Sequence, residues 1–318
     1  MKRKIRISIV IPTLNEEQYL PKLLAGIKKQ TFTDYEVIVA DAGSKDKTVS
    51  MAKEYGAKVV KGGSPAVGRN AGARAAKGDF LFFLDADVKL PKDFLKNAYD
   101  EMQDRYIDLA TCEFIPLSSL KLDKVIHSIT NFIIRMTLKI DPKAYGFCIF
   151  VTKRLFDRIG GFDETVKVGE DSEFVKRGSD IRPLKYLYST RLWVSVRRFK
   201  KEGRLALARK GIILAFHRTF KGEVRKDIIE YEFGNYDEKK DKDRKGILDK
   251  VEKMLINMEG DYKKAKKKVF IEGIDVQDDK EYATQSRKEF EKVLSTFKEF
   301  FKRPTERELS KNKLKKSF

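Results

Sequence analysis

Residues 79–88, DFLFFLDADV, constrain the fold more than any other part of the chain. Five consecutive apolar residues, 80–84, lead directly into two carboxylates, Asp85 and Asp87, that flank one alanine. A strand that is apolar on both faces belongs inside a largely parallel sheet covered by helices, and such sheets bind ligands beyond the carboxyl ends of their strands. We therefore predict that Asp85 and Asp87 lie at a ligand-binding edge of a sheet.

The spacing of these two carboxylates has two interpretations. Asp85 and Asp87 can converge on one hard divalent cation that keeps its remaining coordination positions for phosphate oxygens. Alternatively, they form an acidic turn after a strand, because short motifs often match by chance. The stretch alone leaves both interpretations open.

Strands and helices alternate before this stretch. Residues 5–11 are an apolar, β-branched run, residues 35–40 and 57–60 are two further predicted strands, and each of the three precedes a helical pattern. Strands that alternate with helices in this way lie parallel in one sheet. The sequence therefore predicts an α/β fold with a Rossmann-like, mostly parallel sheet flanked by helices. The start of the chain, MKRKIRISIVIPT, is basic and then apolar, but its apolar stretch is short and contains Pro12, which favours a strand over a signal peptide.

Positive charge is concentrated in one part of the chain. The net charge of the 318 residues is +20, and residues 181–220 contain eleven Lys and Arg against one acid, a balance of +10. Such an excess suits nucleic acid, an anionic membrane surface or phosphorylated substrates. The sequence contains no helix-turn-helix, zinc-binding or RNP-type pattern. A basic nucleic-acid-binding protein is therefore kept only as the alternative from another functional class.

The cysteines and the apolar stretches bear on localisation. Cys112 and Cys148 have neither the spacing of metal ligands nor that of a disulfide framework, so we predict buried thiols and a cytoplasmic protein. No stretch is long and apolar enough to span a bilayer. The apolar residues 205–216 with basic neighbours predict peripheral contact with an anionic membrane at its cytoplasmic face. Packing across the preceding α/β domain is the alternative use of that stretch.

Four segments of the chain resemble the family 2 glycosyltransferases, which are nucleotide-sugar-dependent enzymes of the GT-A fold. The segments are SIVIPTLNE (8–16), VADAGSKDKT (39–48), GRNAGARAAKGDFLFFLDADV (68–88), and GFCIFVTKRLFDRIGGFDE with GEDSEF (146–174). Any one of them would be weak alone, whereas jointly they are specific. The resemblance covers roughly residues 5–200 and implies a GT-A-like catalytic domain, to which we assign residues 1–220.

The resemblance implies an inverting, metal-dependent enzyme of the hexosyltransferase type. Its donor would be a UDP- or GDP-linked sugar, and its acceptor a hydroxyl group on a glycan or a lipid-linked molecule. One rival within the class is a polyprenyl-phosphate glycosyltransferase, whose acceptor is a lipid phosphate. A nucleotidyltransferase is a further rival, but it would carry a Gly-rich, Arg-containing loop after the first strand, where this chain has PTLNEE.

The resemblance also implies roles for individual residues. Asp171 corresponds to the general base, and Asp85 and Asp87 match the family's D-x-D motif, with Asp87 as the direct ligand of Mg or Mn. The residues expected to contact the donor are Pro12, Asn15, Glu16, Asp41, Arg69, Asp85, Glu170 and Arg198.

Several of these assignments have structural alternatives. Asp41 could instead form an Asx turn or cap the following helix, and Arg69 could be a solvated helix arginine. The usual second acidic residue of the Asp41 turn is Ala42 here, which leaves the identity of the base open. Arg197 and Arg198 cannot share one strand face, so we expect only one of them to contact the diphosphate, and Arg198 is the one favoured.

Residues 221–318 differ in composition and lie beyond the resemblance. Residues 237–245, DEKKDKDRK, are a candidate linker, and apolar residues recur at helical spacing within 247–258 and 282–301. We predict a charged, mainly helical C-terminal extension. Its helices would dock on the catalytic domain or pair with a second copy in a homo-oligomer.

Overall fold

A computed structural model of the chain describes residues 4–204, 207 and 223–225. Most of the apolar stretch 205–216 and of the extension 221–318, with its predicted linker and helices, lies outside these described residues. Their predicted contacts with membrane, catalytic domain or a second copy therefore stay predictions.

The first half of the described chain alternates strands and helices as the sequence predicts. Its parallel strands are paired in the order β3-β2-β1-β4. The elements are β1 (Ile7–Thr13), α1 (Leu20–Lys28), β2 (Tyr35–Asp41), α2 (Thr48–Glu54), β3 (Lys58–Lys61), α3 (Pro65–Ala75) and β4 (Phe80–Phe83).

The second half completes a sheet of eight strands in the order β3-β2-β1-β4-β7-β6-β8-β5. Its elements are β5 (Val88–Lys89), α4 (Phe94–Asp104), β6 (Leu109–Pro116), α5 (Lys121–Thr137), β7 (Ile149–Thr152), α6 (Lys153–Ile159), α7 (Glu170–Ser179), β8 (Lys185–Val194) and α8 (Arg197–Glu202).

The described sheet is mixed but mostly parallel, as predicted, with four parallel strand pairs and three antiparallel ones. β7 runs antiparallel to β4 and β6, β5 runs antiparallel to β8, and β6 and β8 are parallel. Ile149, the first residue of β7, pairs with Phe83, the last residue of β4. The residues just before β7 therefore lie at the edge of the sheet where β4 ends, which is the edge predicted to bind ligand.

The apolar run of β4 is buried on both faces, as predicted. Phe80 and Phe82 pack into one hydrophobic cluster, and Leu81 and Phe83 pack into another on the opposite face of the sheet. Burying a phenylalanine side chain contributes about 1.5–3 kcal/mol. The burial of β4 therefore fixes its position, and with it the position of the turn that follows β4.

The two cysteines are buried thiols, as predicted. Cys112 lies on β6, Cys148 lies directly before β7, and their Sγ atoms are 3.4 Å apart. Within the described residues no helix is long and apolar enough to cross a membrane.

Residues 193–203 differ from the prediction of a basic strand. β8 ends at Val194, and α8 begins at Arg197. On a helix, neighbouring side chains are about 100° apart and not on opposite faces. The strand-face argument that allowed only one of the two arginines to contact the diphosphate therefore does not apply.

Candidate active site

The carboxyl ends of β1, β2 and β4 meet at one edge of the sheet. Thr13 at the end of β1 is paired with Asp41 at the end of β2. The loops that follow are joined by hydrogen bonds, since the Asn15 backbone N–H donates to Ser44 Oγ at 2.9 Å and the Lys45 N–H donates to Asn15 Oδ1 at 2.9 Å. Asn15 has φ 55°, a left-handed conformation that asparagine tolerates better than most residues. Pro12 and Asn15 thus lie at the edge where they were predicted.

Asp41 is engaged by its own turn. Its Oδ2 accepts the backbone N–H groups of Gly43 and Ser44, both at 2.9 Å, and its Oδ1 accepts the hydroxyls of Ser44 and Thr13. Four hydrogen bonds approach the capacity of a carboxylate. In this structure Asp41 therefore adopts the Asx-turn arrangement, which was the structural alternative to nucleobase recognition.

An open pocket of about 420 Å³ lies beside this turn. It extends from Asp41 and Gly43 toward Val59 and Gly62 at β3, with Lys53 on its wall. Its lining combines apolar residues such as Val49 and Val59 with the polar residues Asp41 and Lys53, a combination also found in small-molecule sites.

Asp85 and Asp87 follow β4 in a short turn that leads into β5. The backbone fixes this turn, since Val88 pairs with Val194 of β8 and the Ser195 N–H donates to the Asp87 carbonyl oxygen at 3.2 Å. The Asp85 side chain is 37% exposed, whereas that of Asp87 is only 11% exposed. Burial raises the pKa of Asp87 to about 7 against the opposing effect of Arg197.

Arg69 of α3 joins the D-x-D turn to α7. Its Nη1 donates to Glu170 Oε1 at 2.7 Å, and its Nη2 lies 3.3 Å from Asp85 Oδ1. The side chain is 4% exposed, and its buried Nε has no hydrogen-bond partner among the described residues. Burial alone would lower the pKa of Arg69, but the negative charges of Asp85, Glu170 and Asp171 raise it. Arg69 is therefore a buried cation and not the solvated helix arginine considered as an alternative.

Glu170 and Asp171 begin α7 and have different surroundings. Burial and then the charge of Asp171 raise the pKa of Glu170, while Arg69 opposes this shift. Asp171 Oδ2 accepts a hydrogen bond from the Gly146 N–H at 2.9 Å, and Asp171 Oδ1 accepts one from the Ser172 N–H at 2.7 Å. These two bonds orient the carboxylate and leave lone pairs for a further donor.

Arg197, which the sequence argument passed over, lies inside the site. Its Nη1 and Nη2 donate to the two carboxylate oxygens of Glu16 at 2.7 and 2.6 Å, and its Nε lies 2.8 Å from Asp87 Oδ2. Its guanidinium also lies over the ring of Tyr19, 4.4 Å from the ring centre. Arg198 lies elsewhere, with Nε bonded to Glu202 of the same helix at 2.8 Å. No local pattern in RRFKKE (197–202) distinguishes Arg197 from Arg198, so the sequence carried no signal that could have selected Arg197.

Two aromatic residues that the sequence analysis did not select flank Gly146. The rings of Tyr145 and Phe147 are stacked with an interplanar angle of 7° and their centres 5.4 Å apart. Tyr145 is 43% exposed as a whole, while desolvation of its hydroxyl group and then the charge of Asp171 raise the pKa of that hydroxyl. The Asp171 carboxylate thus lies beside an aromatic surface.

The acidic residues of the site outnumber its cations. The site contains five carboxyl groups and two guanidinium groups that pair with them or lie near them. The carboxyl groups belong to Glu16, Asp85, Asp87, Glu170 and Asp171, and the guanidinium groups to Arg69 and Arg197. An anionic ligand would meet an excess of negative charge here unless a cation accompanied it.

The chemistry of Asp85 and Asp87 fits a divalent cation. Magnesium is often bound by one or two carboxylates, with substrate phosphates and water completing the octahedron. Among the described residues, no group of three or more His, Cys, Asp or Glu side chains forms a complete metal site. The two aspartates therefore fit a cation that is shared with a phosphate ligand, provided that Arg197 withdraws from Asp87.

Comparisons with known proteins place this site in context. Residues 8–158 match the family described as Glycosyl transferase family 2. The poly(ribitol-phosphate) beta-N-acetylglucosaminyltransferase TarS of Staphylococcus aureus is 27% identical over 190 residues, which cover 54% of this chain and 32% of TarS. The glycosyltransferase AglE of Haloferax volcanii is 26% identical over 187 residues, which cover 55% of this chain and 61% of AglE. The matched part is thus between about a third and three fifths of each relative.

Solved structures share the fold at low sequence identity. TarS residues 1–349 of S. aureus in complex with UDP-GlcNAc give a TM-score of 0.51 at 20% identity, covering 68% of this chain and 73% of that one. The mannosyltransferase PcManGT of Pyrobaculum calidifontis in complex with GDP-Man and Mn²⁺ gives 0.51 at 20% identity, covering 65% and 64%. These likenesses confirm the predicted GT-A fold.

Proposed function

Because this chain belongs to the family 2 glycosyltransferases through residues 8–158, we propose that it transfers a sugar from a UDP- or GDP-linked donor to a hydroxyl acceptor with inversion at the anomeric carbon. The observation that supports this most is the contact of Arg69 with both Asp85 and Glu170, the residue next to Asp171. It links the turn proposed to hold the donor diphosphate with the residue proposed as the base.

The nucleotide part of the donor is proposed to bind at the ends of β1 and β2. Pro12, Asn15, Glu16 and Asp41 lie at this edge, and the neighbouring pocket has room for a base or ribose. Asp41 must exchange one of its four hydrogen bonds in order to accept an N–H of the base. Arg198 would contact the donor only after its pair with Glu202 opens.

The diphosphate is proposed to lie beside Asp85 and Asp87. A Mg²⁺ or Mn²⁺ ion bound there would offset the negative charge that develops on the leaving diphosphate. Arg69 keeps Asp85 in place and balances part of the negative charge of the site. Glu170 is proposed to act in the donor site mainly by holding Arg69.

Asp171 is proposed as the general base. It would accept the proton of the acceptor hydroxyl while that oxygen attacks the anomeric carbon from the face opposite the nucleotide. This displacement inverts the anomeric centre, so an α-linked donor gives a β-linked product. The bonds from Gly146 and Ser172 hold the carboxylate in place for this attack.

The acceptor is proposed to be a glycan or a lipid-linked molecule. The chain's +10 region, residues 181–220, also suits a phosphorylated lipid acceptor, which keeps the polyprenyl-phosphate reaction as a second candidate. Incubation with a donor and either a polyprenyl phosphate or a glycan acceptor, followed by mass spectrometry, separates the two.

A thermal-shift measurement with nucleotide sugars is the first test of the proposed donor. A ligand that binds only the native state raises its melting temperature. We expect a UDP- or GDP-linked sugar to raise the melting temperature in the presence of Mn²⁺ or Mg²⁺, and less so with a chelator. If no nucleotide sugar does so while duplex DNA or RNA does, the basic nucleic-acid-binding alternative replaces the transferase.

Peripheral membrane association is proposed as a separate property of the basic region and the apolar residues 205–216. Electrostatic attraction to anionic lipid is screened by salt. The protein should therefore float with anionic liposomes at low salt and be released at high salt. Absence from the lipid fraction under both conditions would remove this proposal.

A further inference from the structure

Arg197 holds the carboxylate that is proposed to ligate the cation. Its Nε lies 2.8 Å from Asp87 Oδ2, while its other two nitrogens hold both oxygens of Glu16. The three side chains are almost fully enclosed, since Arg197 is 10%, Asp87 11% and Glu16 6% exposed. A guanidinium at this position neutralises the same carboxylate that a metal ion would use.

The backbone places this arginine independently of its side chain. The pairing of Val88 with Val194 fixes the end of β8 beside the D-x-D turn, and the Ser195 N–H donates to the Asp87 carbonyl oxygen. The Arg197 N–H in turn donates to Ser195 Oγ at 3.2 Å. Because Arg197 and Asp87 are joined by this short path, the guanidinium can leave the carboxylate without moving away from the site.

We propose that Arg197 is an internal counter-cation that occupies Asp87 in the absence of donor and exchanges this carboxylate for the donor's diphosphate when a divalent cation binds. This inference rests on the proposed function, because it takes Asp87 as the cation's ligand. It assigns to Arg197 the contact with the diphosphate that the sequence had favoured for Arg198.

The chemistry of the guanidinium suits both states. Arg197 already makes a two-pronged contact with the Glu16 carboxylate, and a phosphate group accepts the same planar fork of N–H groups. In the donor-free state the arginine relieves repulsion between Asp87 and Glu16, whose pKa is raised by burial despite the opposing effect of Arg197. In the donor-bound state, the cation takes over Asp87 and the arginine faces an anion. Arg197 therefore opposes binding of the cation alone and favours its binding together with a nucleoside diphosphate.

Binding measurements on Arg197→Gln test this exchange. Mn²⁺ is titrated alone by calorimetry and by the electron paramagnetic resonance of the unbound ion, in mildly alkaline buffer so that Asp87 stays ionised. We expect Mn²⁺ alone to bind Arg197→Gln at least about fivefold more tightly than the wild type, because the competing cation is gone. UDP and GDP are then titrated at saturating Mn²⁺, and the nucleotide that binds the wild type should bind the variant at least about fivefold more weakly.

Arg191→Gln is the matched control. It removes one positive charge from β8, where Arg191 is 59% exposed and 3.9 Å from Glu113, and it should match the wild type in both titrations. Arg197→Lys keeps the competing charge but loses the planar fork, so it should bind Mn²⁺ alone much like the wild type and bind the nucleotide at saturating Mn²⁺ more weakly. It provides the test if the glutamine variant does not fold.

The outcomes separate this inference from the proposed function. If Mn²⁺ binds the wild type and is lost in Asp87→Asn, but Arg197 variants bind Mn²⁺ and nucleotide like the wild type, the inference alone is overturned. If Mn²⁺ binds neither the wild type nor any variant, even with nucleotide present, both the inference and the metal dependence of the proposed function are overturned.

Discussion

Arg69 Nη1 donates a hydrogen bond to Glu170 Oε1 across 2.7 Å, and the two residues are 101 positions apart in the chain. This bond connects α3 to the first residue of α7. Since Arg69 also contacts Asp85, the bond sets the position of the proposed base relative to the proposed metal ligands. The relative positions of Asp85 and the start of α7 therefore depend on one buried cation, Arg69.

Removal of the Arg69 guanidinium should lower the stability of the folded protein. Arg69→Met leaves Asp85 and Glu170 without their shared partner, and breaking a buried pair in this way typically costs about 3–5 kcal/mol. We expect a loss of about 3 kcal/mol in the free energy of unfolding, measured with urea. Adding Glu170→Gln to Arg69→Met should recover part of that loss, because the unpaired buried charge is then removed.

Lys96→Met is the control for this experiment. Lys96 forms an exposed pair with Asp100 on α4, and exposed pairs contribute little. The control should unfold like the wild type. An Arg69→Met variant as stable as the wild type would show that Arg69 does not hold the site together.

Gly146 should not tolerate alanine. A Cβ at this position would stand 2.1 Å from Arg69 Nη2, so Gly146→Ala must displace the guanidinium. We expect destabilisation of about 1–3 kcal/mol by overpacking, measured by urea unfolding, and weaker binding of the donor nucleotide, measured by calorimetry.

Gly26→Ala is the matched control, because no atom lies within 4 Å of its added Cβ and the position is within α1. Alanine there should be neutral or stabilise by up to about 1 kcal/mol. Equal effects at the two glycines would contradict the proposed steric role of Gly146.

Asp171→Asn should separate chemistry from binding. The amide oxygen can still accept the Gly146 N–H, so the fold and the binding of nucleotide with Mn²⁺ should be retained. The amide cannot take the acceptor's proton, and loss of a general base typically lowers the rate about 10²–10⁴-fold. Transfer is followed with radiolabelled donor, and the product anomer is identified by NMR. Near wild-type transfer by this variant, or retention of the donor's anomeric configuration, would show that Asp171 is not the base of an inverting reaction.

His127 should make stability depend on pH. It is buried on α5 with Nδ1 2.8 Å from the carbonyl oxygen of Asp123, whose carboxylate is held by Arg204. Burial lowers the pKa of His127, despite the opposing effects of the Asp123 carbonyl and charge. The unfolded chain therefore binds a proton more readily, and the contribution of His127 to stability is full above its unfolded pKa of about 6.5 and lost as pH falls toward the folded pKa.

Comparison with His127→Gln isolates this effect. Urea unfolding is measured across mildly acidic to neutral pH, and the wild type should lose more stability on acidification than the variant does. Parallel pH curves for the two proteins would mean that His127 does not titrate differently in the folded and unfolded chain.

Local patterns in the sequence determined the main elements of the fold. The apolar run 80–84 must be buried on both faces, and the alternation of apolar runs with helical patterns places the first four strands parallel. Asp85 and Asp87 then come at the edge of the sheet, because they directly follow a strand whose burial fixes its position. The motifs also led to the GT-A fold, which the solved structures confirm.

The tertiary structure decided which distant side chains meet. Arg69 contacts Glu170 and Arg197 contacts Glu16 across 101 and 181 residues, and no local pattern encodes such contacts. Strand propensity likewise does not show that β7 runs antiparallel to β4, which returns the chain to the end of β4 and brings Gly146 against Arg69. Adjacent arginines 197 and 198 look alike in sequence, and only the start of α8 after β8 places one on Asp87 and the other on Glu202. Short-range periodicity thus determined what each segment becomes, whereas long-range packing and charge pairing decided which residues form the site.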